Sequence, residues 1–257
     1  MDRILSREAS APERYAAMDR LKVGVVGISR GAGTSFLTCC LARYLANTGR
    51  HDPAVVELGT GCLFDSIGMD KHFAGREWFR FYEALEKYRS VRGMRNMDEG
   101  INWILKSPEE EGISLSFEQK LRLVNHATGD VVLCDLSGEA EPDDGLLRSM
   151  DQTIAVIDPI PSKMLKGYRT LCKLKQMEIE QNDMIFVINK MNRGVNRRQM
   201  QDFLRIRKSV VIPLIDPWNI YTAEYNCRIP YLLGEVKNAL QAPLGEISAA
   251  LLLPRCR

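Results

Sequence analysis

Short, nearly unbroken apolar runs alternate with segments of helical period along most of the chain. The first run, Val23 to Ile28, predicts a strand over Lys22–Gly27. It breaks abruptly into the small-residue stretch Ser29-Arg30-Gly31-Ala32-Gly33-Thr34-Ser35. Phe36, Leu37, Cys40, Leu41, Tyr44 and Leu45 then recur at helical spacing. That predicts a helix from near Thr34 to Asn47, with Gly49 as its stop. Further strands are expected over Pro53–Leu58, Asp130–Asp135, Ile154–Asp158, Met184–Asn189 and Ser209–Pro213, with a shorter one at Ile101–Leu105. Helices are expected over Glu77–Tyr88, Phe117–Asn125, Ser162–Met177, residues 196–206, Ile220–Tyr225 and Tyr231–Leu240, followed by an apolar tail, Ile247–Leu253.

Strands that are apolar throughout, rather than alternating, are buried on both faces. Separated by helices, they imply an α/β fold: a doubly wound, mostly parallel sheet with helices on both sides. Residues 1–20 read as a flexible or loosely helical lead-in, and 21–257 as one domain without repeats or linkers. In such sheets ligands bind beyond the carboxyl ends of the strands. Gly31–Ser35, Glu57–Gly61, Asp135–Gly138 and Asn189–Lys190 all fall on that edge.

Composition removes several function classes. A net charge of +2 over 257 residues does not by itself point to nucleic acid or an anionic membrane. No apolar run approaches the roughly 20 residues that span a bilayer, so no transmembrane segment is expected. The N-terminus lacks the apolar core of a signal peptide, and a cytoplasmic location is expected. The seven cysteines include no C-x-x-C pair, which argues against a zinc site or a disulfide framework. The three histidines stand apart without ligand spacing.

Strand, glycine-rich turn and helix together make a phosphate-binding geometry. Small residues let backbone N–H groups converge, and the helix N-terminus adds partial positive charge. The usual loop, G-x-x-x-x-G-K-[ST], is incomplete here. Aligning Gly33 and Ser35 with its last glycine and hydroxyl puts Thr34 at the lysine and Ile28 at the first glycine. Gly31 and Gly33 serve either a phosphate or only a tight turn. Asp135 either ligates a metal or caps a turn.

Taken in order, these turns resemble the MinD/ParA family of P-loop ATPases over roughly residues 21–240. The family loop, K-G-G-x-G-K-[ST], matches Ser29–Ser35 at both glycines and the final hydroxyl, while Ser29 and Thr34 replace its lysines. The resemblance implies ATP or ADP with Mg2+, held by Ser29, Arg30, Gly31, Ala32, Gly33, Thr34 and Ser35. It assigns metal ligation to Ser35, Asp135 and Glu57. Asp135 opens the D-x-x-G-like turn Asp135-Leu136-Ser137-Gly138, and Glu57 stands at the first acid of a D-x-D pattern whose second acid is replaced by Gly59. Asn189 matches the residue that reads adenine, or else bonds its own backbone; Pro213 and Asp216 belong to the closing pattern that walls the base.

Losing both lysines and the water-orienting acid makes efficient hydrolysis unexpected, since removing one such electrostatic group commonly costs about 10²–10³ in rate. Degenerate loops of this kind resemble the TadZ/CpaE-like branch, which implies a localisation or assembly factor for a pilus- or secretion-type machine, working as a homodimer at a pole or the inner membrane. Two alternatives stay open. One is an active ATPase in which Arg30 replaces a lysine. The other is a ParA-like partition factor that meets DNA through Arg193, Arg197, Arg198 and Arg205, which the pattern equally allows to be a solvated helical face.

Overall fold

The computed structural model describes residues 20–60, 62–138, 143–180, 184–206 and 208–251. The expected lead-in, Arg20 apart, therefore lies outside the described residues. The strands are β1 (Leu21–Gly27), β2 (Pro53–Glu57), β3 (Met97–Asp98), β4 (Ile101–Ile104), β5 (Val131–Asp135), β6 (Gln152–Ile157), β7 (Met184–Met191) and β8 (Val210–Pro213). They form one eight-stranded sheet in the order β3-β4-β2-β5-β1-β6-β7-β8. Only the β3–β4 pairing is antiparallel. The central strand β1 pairs with β5 on one side and β6 on the other. The chain thus winds outward in both directions from β1, and a crevice opens at its carboxyl end.

The apolar runs become strands because both faces of the sheet are covered. Alternate residues of β1 point to opposite cores: Val23 and Val25 to one, Val26 to the other. On the first face lie α1 (Thr34–Asn47), α2 (Leu63–Ile67), α3 (Met69–His72) and α10 (Gly234–Ala250). The second face carries α4 (Phe81–Glu86), α5 (Phe117–His126), α6 (Asp144–Arg148), α7 (Pro161–Glu180) and α8 (Arg197–Leu204). Val131, Val132 and Leu133 of β5 are wholly buried between them. Each such side chain contributes about 1.5–3 kcal/mol.

Three boundaries differ from the sequence pattern for identifiable reasons. The helix expected from Glu77 begins only at Phe81, because Asn96 holds Phe79 extended through both its backbone groups, at 2.8 and 3.0 Å. The helix expected from Ile220 is α9 (Pro217–Tyr225), started by an Asp216 cap on Trp218 N (2.9 Å) with Pro217 in the first turn. The apolar tail is not a tail: α10 continues through Pro243 to Ala250, and Ile247 and Leu251 are buried in the core. Residues 252 and 253 lie outside the described residues.

Candidate functional site

Beyond β1 the chain folds into a tight loop over Ser29–Ser35. Gly31 (φ 71°) and Gly33 (φ 95°) take left-handed backbone that side chains disfavour. Gly33 is doubly constrained, since a Cβ there would lie 2.2 Å from Asn189 Nδ2. It is also the N-cap of the 14-residue α1, so no side chain caps the first-turn N–H groups. A cleft of about 340 Å3 opens over these groups, lined by Ser29, Gly31, Gly33, Ser35 and Ser137 among others. Arg30 is exposed at its lip and Ala32 is buried beneath it. Thr34, at the lysine position, is 4% exposed and carries no charge; its Oγ1 lies so close to Gly27 that a Cβ on that glycine would approach it to 2.7 Å.

At one wall of the cleft the Ser35 and Ser137 hydroxyls meet, with the Asp135 carboxylate buried behind them. Ser35 Oγ lies 3.0 Å from Ser137 Oγ, and Ser137 N donates to Asp135 Oδ1 at 3.0 Å. Asp135 is wholly buried, and its Oδ2 has no hydrogen-bond partner among the described residues. Burial raises its carboxyl above the usual range, outweighing the opposing effect of Ser35 and Ser137. An orphaned buried carboxylate oxygen calls for a proton or a cation. Two hydroxyls and a carboxylate are a donor set that suits Mg2+, which takes oxygen ligands and keeps several waters.

Glu57, expected as a third ligand, is placed otherwise. Its Oε1 accepts from Leu63 N (2.9 Å) and its Oε2 from Lys106 N (3.1 Å), so both oxygens bind backbone. Burial pushes its carboxyl up from 4.5 to about 7 against those two bonds. The side chain ties the turn after β2 to the segment after β4. Next to it, Gly59 is packed against the β5 turn. Leu58 N and Gly59 N donate to Asp135 O at 2.9 and 3.1 Å, and Thr60 N donates to Ser137 O at 3.0 Å. A Cβ on Gly59 would lie 1.7 Å from Ser137 O. Backbone fills the space where an acid at this position would need to stand.

A second, smaller cleft of about 170 Å3, which shares Gly33 and Phe36 with the first, is lined by these two and by Asn189, Lys190, Leu214, Ile215 and Ile220. Asn189 thus reaches the expected place, but its amide is engaged. Nδ2 donates to Ala32 O at 2.8 Å, and Oδ1 accepts from Lys190 N at 2.9 Å. Leu214 and Ile215 line this cleft, while Pro213 ends β8 beside Met191 and Asp216 caps α9.

No protein-family model matches the chain, and no curated protein matches it in sequence. Solved structures do match. The MinC:MinD cell division protein complex of Aquifex aeolicus aligns over 92% of this chain and 98% of its own, with a TM-score of 0.66 at 16% identity. The fold is that of the MinD and ParA ATPases. A plasmid partition protein from Borrelia burgdorferi B31 bound to AMPPNP gives a TM-score of 0.68 at 13% identity, over 90% and 98% of the two chains. MinD from Pyrococcus horikoshii complexed with Mg-ADP gives 0.63 at 15% identity, over 91% and 99%.

Within this MinD/ParA fold, the loop and Ser35 line the larger cleft with Asp135 buried behind it, Asn189 lines the smaller one, and Glu57, Pro213 and Asp216 bond to or pair with neighbouring structure. Arg193, Arg197, Arg198 and Arg205 are exposed around α8. Among the described residues, no helix is long and apolar enough to cross a membrane. Two further cations stand beside the loop: Lys190, expected on the ligand-binding edge but given no role there, and Lys163, which was not expected. Lys163 Nζ and Lys190 Nζ both contact Asp158 Oδ2, at 2.7 and 3.1 Å. Lys163 lies in a helix with basic residues on one side, and Lys190 follows Asn189, but only the tertiary fold brings the pair to the loop.

Proposed function

We propose that this protein binds ATP or ADP with Mg2+ in the Ser29–Ser35 cleft and hydrolyses it little or not at all. The nucleotide then acts as a conformational ligand for a localisation or assembly factor, in the manner of the pilus- or secretion-type branch, with a homodimer as the working form. One observation carries the reading: the unpartnered Asp135 Oδ2 beside the Ser35 and Ser137 hydroxyls, at the edge of a loop that keeps its anion-binding shape. Loop N–H groups would take the phosphates, and Ser35 with Asp135 would hold the cation. Magnesium would supply charge neutralisation at the phosphates. Loss of hydrolysis is supported by Thr34 at the lysine position and by Gly59, where the Ser137 backbone leaves no room for a water-orienting acid.

The test is calorimetric titration of ATP and ADP, with and without magnesium, alongside phosphate release and sedimentation. Magnesium-dependent binding, a shift to dimer and negligible release are expected. Absence of binding at any magnesium concentration defeats the reading. A second reading rests on the exposure of Arg193, Arg197, Arg198 and Arg205. It takes them as contacts to DNA phosphates. Retention on duplex DNA that weakens steeply with salt and with Arg197→Ala/Arg198→Ala supports it; no retention at low salt dismisses it.

A further inference from the structure

The outer side of the phosphate loop is gripped by Asn189, whose amide is thereby engaged, and by two lysines to which the nucleotide reading gives no role. Two consecutive loop carbonyls point away from the cleft, and each is held. Ala32 O accepts from Asn189 Nδ2 at 2.8 Å, and Gly31 O accepts from Lys190 Nζ at 2.6 Å. Lys163 Nζ stands 3.5 Å from the same Gly31 oxygen. Both ammonium groups are anchored on Asp158 Oδ2, on a residue 1% exposed at the end of β6. Burial alone would raise the Asp158 carboxyl, but the hydrogen bonds from Lys163 and Lys190 outweigh it and hold the group below the usual range.

The backbone is shaped to make this contact. Lys190 has φ 60°, in the left-handed region, where the β7–β8 register shifts between Ile188 and Met191. A non-glycine residue held there signals a strained position that its surroundings enforce. The strain turns the Lys190 side chain onto the loop, directly after Asn189 has taken the neighbouring carbonyl.

We propose that Asn189, Lys190 and Lys163, anchored on Asp158, form an outer clamp that holds the Gly31–Ser35 loop in its anion-binding shape before any ligand arrives. Pinning a peptide carbonyl outward orients the N–H on the far side of the same peptide inward. The Gly31 and Ala32 carbonyls belong to the peptides whose N–H groups come from Ala32 and Gly33; the Ala32 N–H closes the loop's own turn onto Ser29 O at 3.2 Å, and the Gly33 N–H is the one turned toward the cleft. In a loop whose own lysine is Thr34, the order that a bound phosphate and lysine would impose from inside is imposed from outside. Lys163 and Lys190 are positioning residues on this account; they orient the groups that meet the phosphate. The proposal rests on the nucleotide reading for what the loop binds, but the order of the empty loop is measurable without a nucleotide.

The experiment is amide hydrogen exchange of the unliganded full chain, resolved over residues 31–37, with thermal unfolding measured in parallel. Lys190→Met should speed exchange in the loop about tenfold or more, the effect of losing one charge-assisted bond. Lys190→Arg should retain most of the protection. Removing lysines strands the buried Asp158 charge, so Asp158→Asn combined with Lys163→Met and Lys190→Met provides a variant with no stranded charge. It should show the same loop exchange with a melting point near that of wild type. Loop exchange unchanged in the triple variant overturns the clamp, as does a wild-type loop that exchanges at unprotected rates. Inorganic pyrophosphate titration separates the two ideas. A wild type that is protected yet binds no pyrophosphate defeats the nucleotide reading and leaves the clamp standing.

Discussion

Replacing Gly59 by alanine adds one methyl group at the point where two site-forming turns meet. The added carbon would stand 1.7 Å from Ser137 O, 2.7 Å from Ser137 C and 2.9 Å from Ser137 N. All three are backbone atoms, so no side-chain rotation relieves the clash. Ser137 is held in turn by its N–H bond to Asp135 Oδ1 and by Thr60 N on its carbonyl, both 3.0 Å. One of the turns must move. Overpacking in a tight region costs about 1–3 kcal/mol, and separating the turns forfeits one or two hydrogen bonds at about 1 kcal/mol each. The combined loss is about 2–5 kcal/mol, a drop of roughly 10 °C in melting temperature for a chain of this size. Gly112 is the control: it has ordinary φ and nothing within 4 Å of an added Cβ. Thermal and urea unfolding of Gly59→Ala, Gly112→Ala and wild type measure the difference. Gly112→Ala should fall within about 0.5 kcal/mol of wild type. Equal stability of the two variants would refute the packing argument, and with it the claim that no acid can be seated at position 59.

Two other expectations follow from the polar groups around the cleft. Glu57 holds its proton more tightly folded, at about 7, than at its ordinary 4.5. Its contribution is complete below pH 4.5 and is lost as pH rises through 7, on the order of 3 kcal/mol. Urea unfolding across this range should therefore show a steeper fall for wild type than for Glu57→Gln; parallel pH profiles contradict the assignment. Asp216→Ala should cost about 1 kcal/mol through loss of the α9 cap while leaving nucleotide affinity unchanged. A weaker nucleotide affinity in calorimetry would return Asp216 to the base site.

Much of the fold is legible in the apolar pattern because a doubly covered sheet imposes one simple rule on each strand. Asp130–Asp135 and Met184–Asn189 read as buried parallel strands for that reason, and their partners follow from topology. Elements set by tertiary contacts are harder to read. Nothing local in Glu77–Arg80 announces that Asn96 will keep it extended, and the four-residue α3 has too short a period to detect. The Ser29–Ser35 loop is legible because its glycines are spaced by a backbone requirement. Glu57 resembles a ligand in sequence, but a carboxylate at a strand end serves a cation or two backbone N–H groups equally well, and only coordinates distinguish them. Lys163, and the role of Lys190 on an edge the sequence does mark, escape for a related reason. A lysine's partner lies at the end of four rotatable carbons, and the shared Asp158 is far from Lys190 in the chain.

The central claim is that a phosphate loop built for binding has been separated from hydrolysis. Its most direct test is calorimetric ATP titration of wild type and Ser35→Ala with and without magnesium, with phosphate release followed on the same samples. Binding that magnesium strengthens in wild type but not in Ser35→Ala, with release no faster than in a protein-free control, is the predicted result. Steady phosphate release by wild type, abolished by Arg30→Ala, would contradict it.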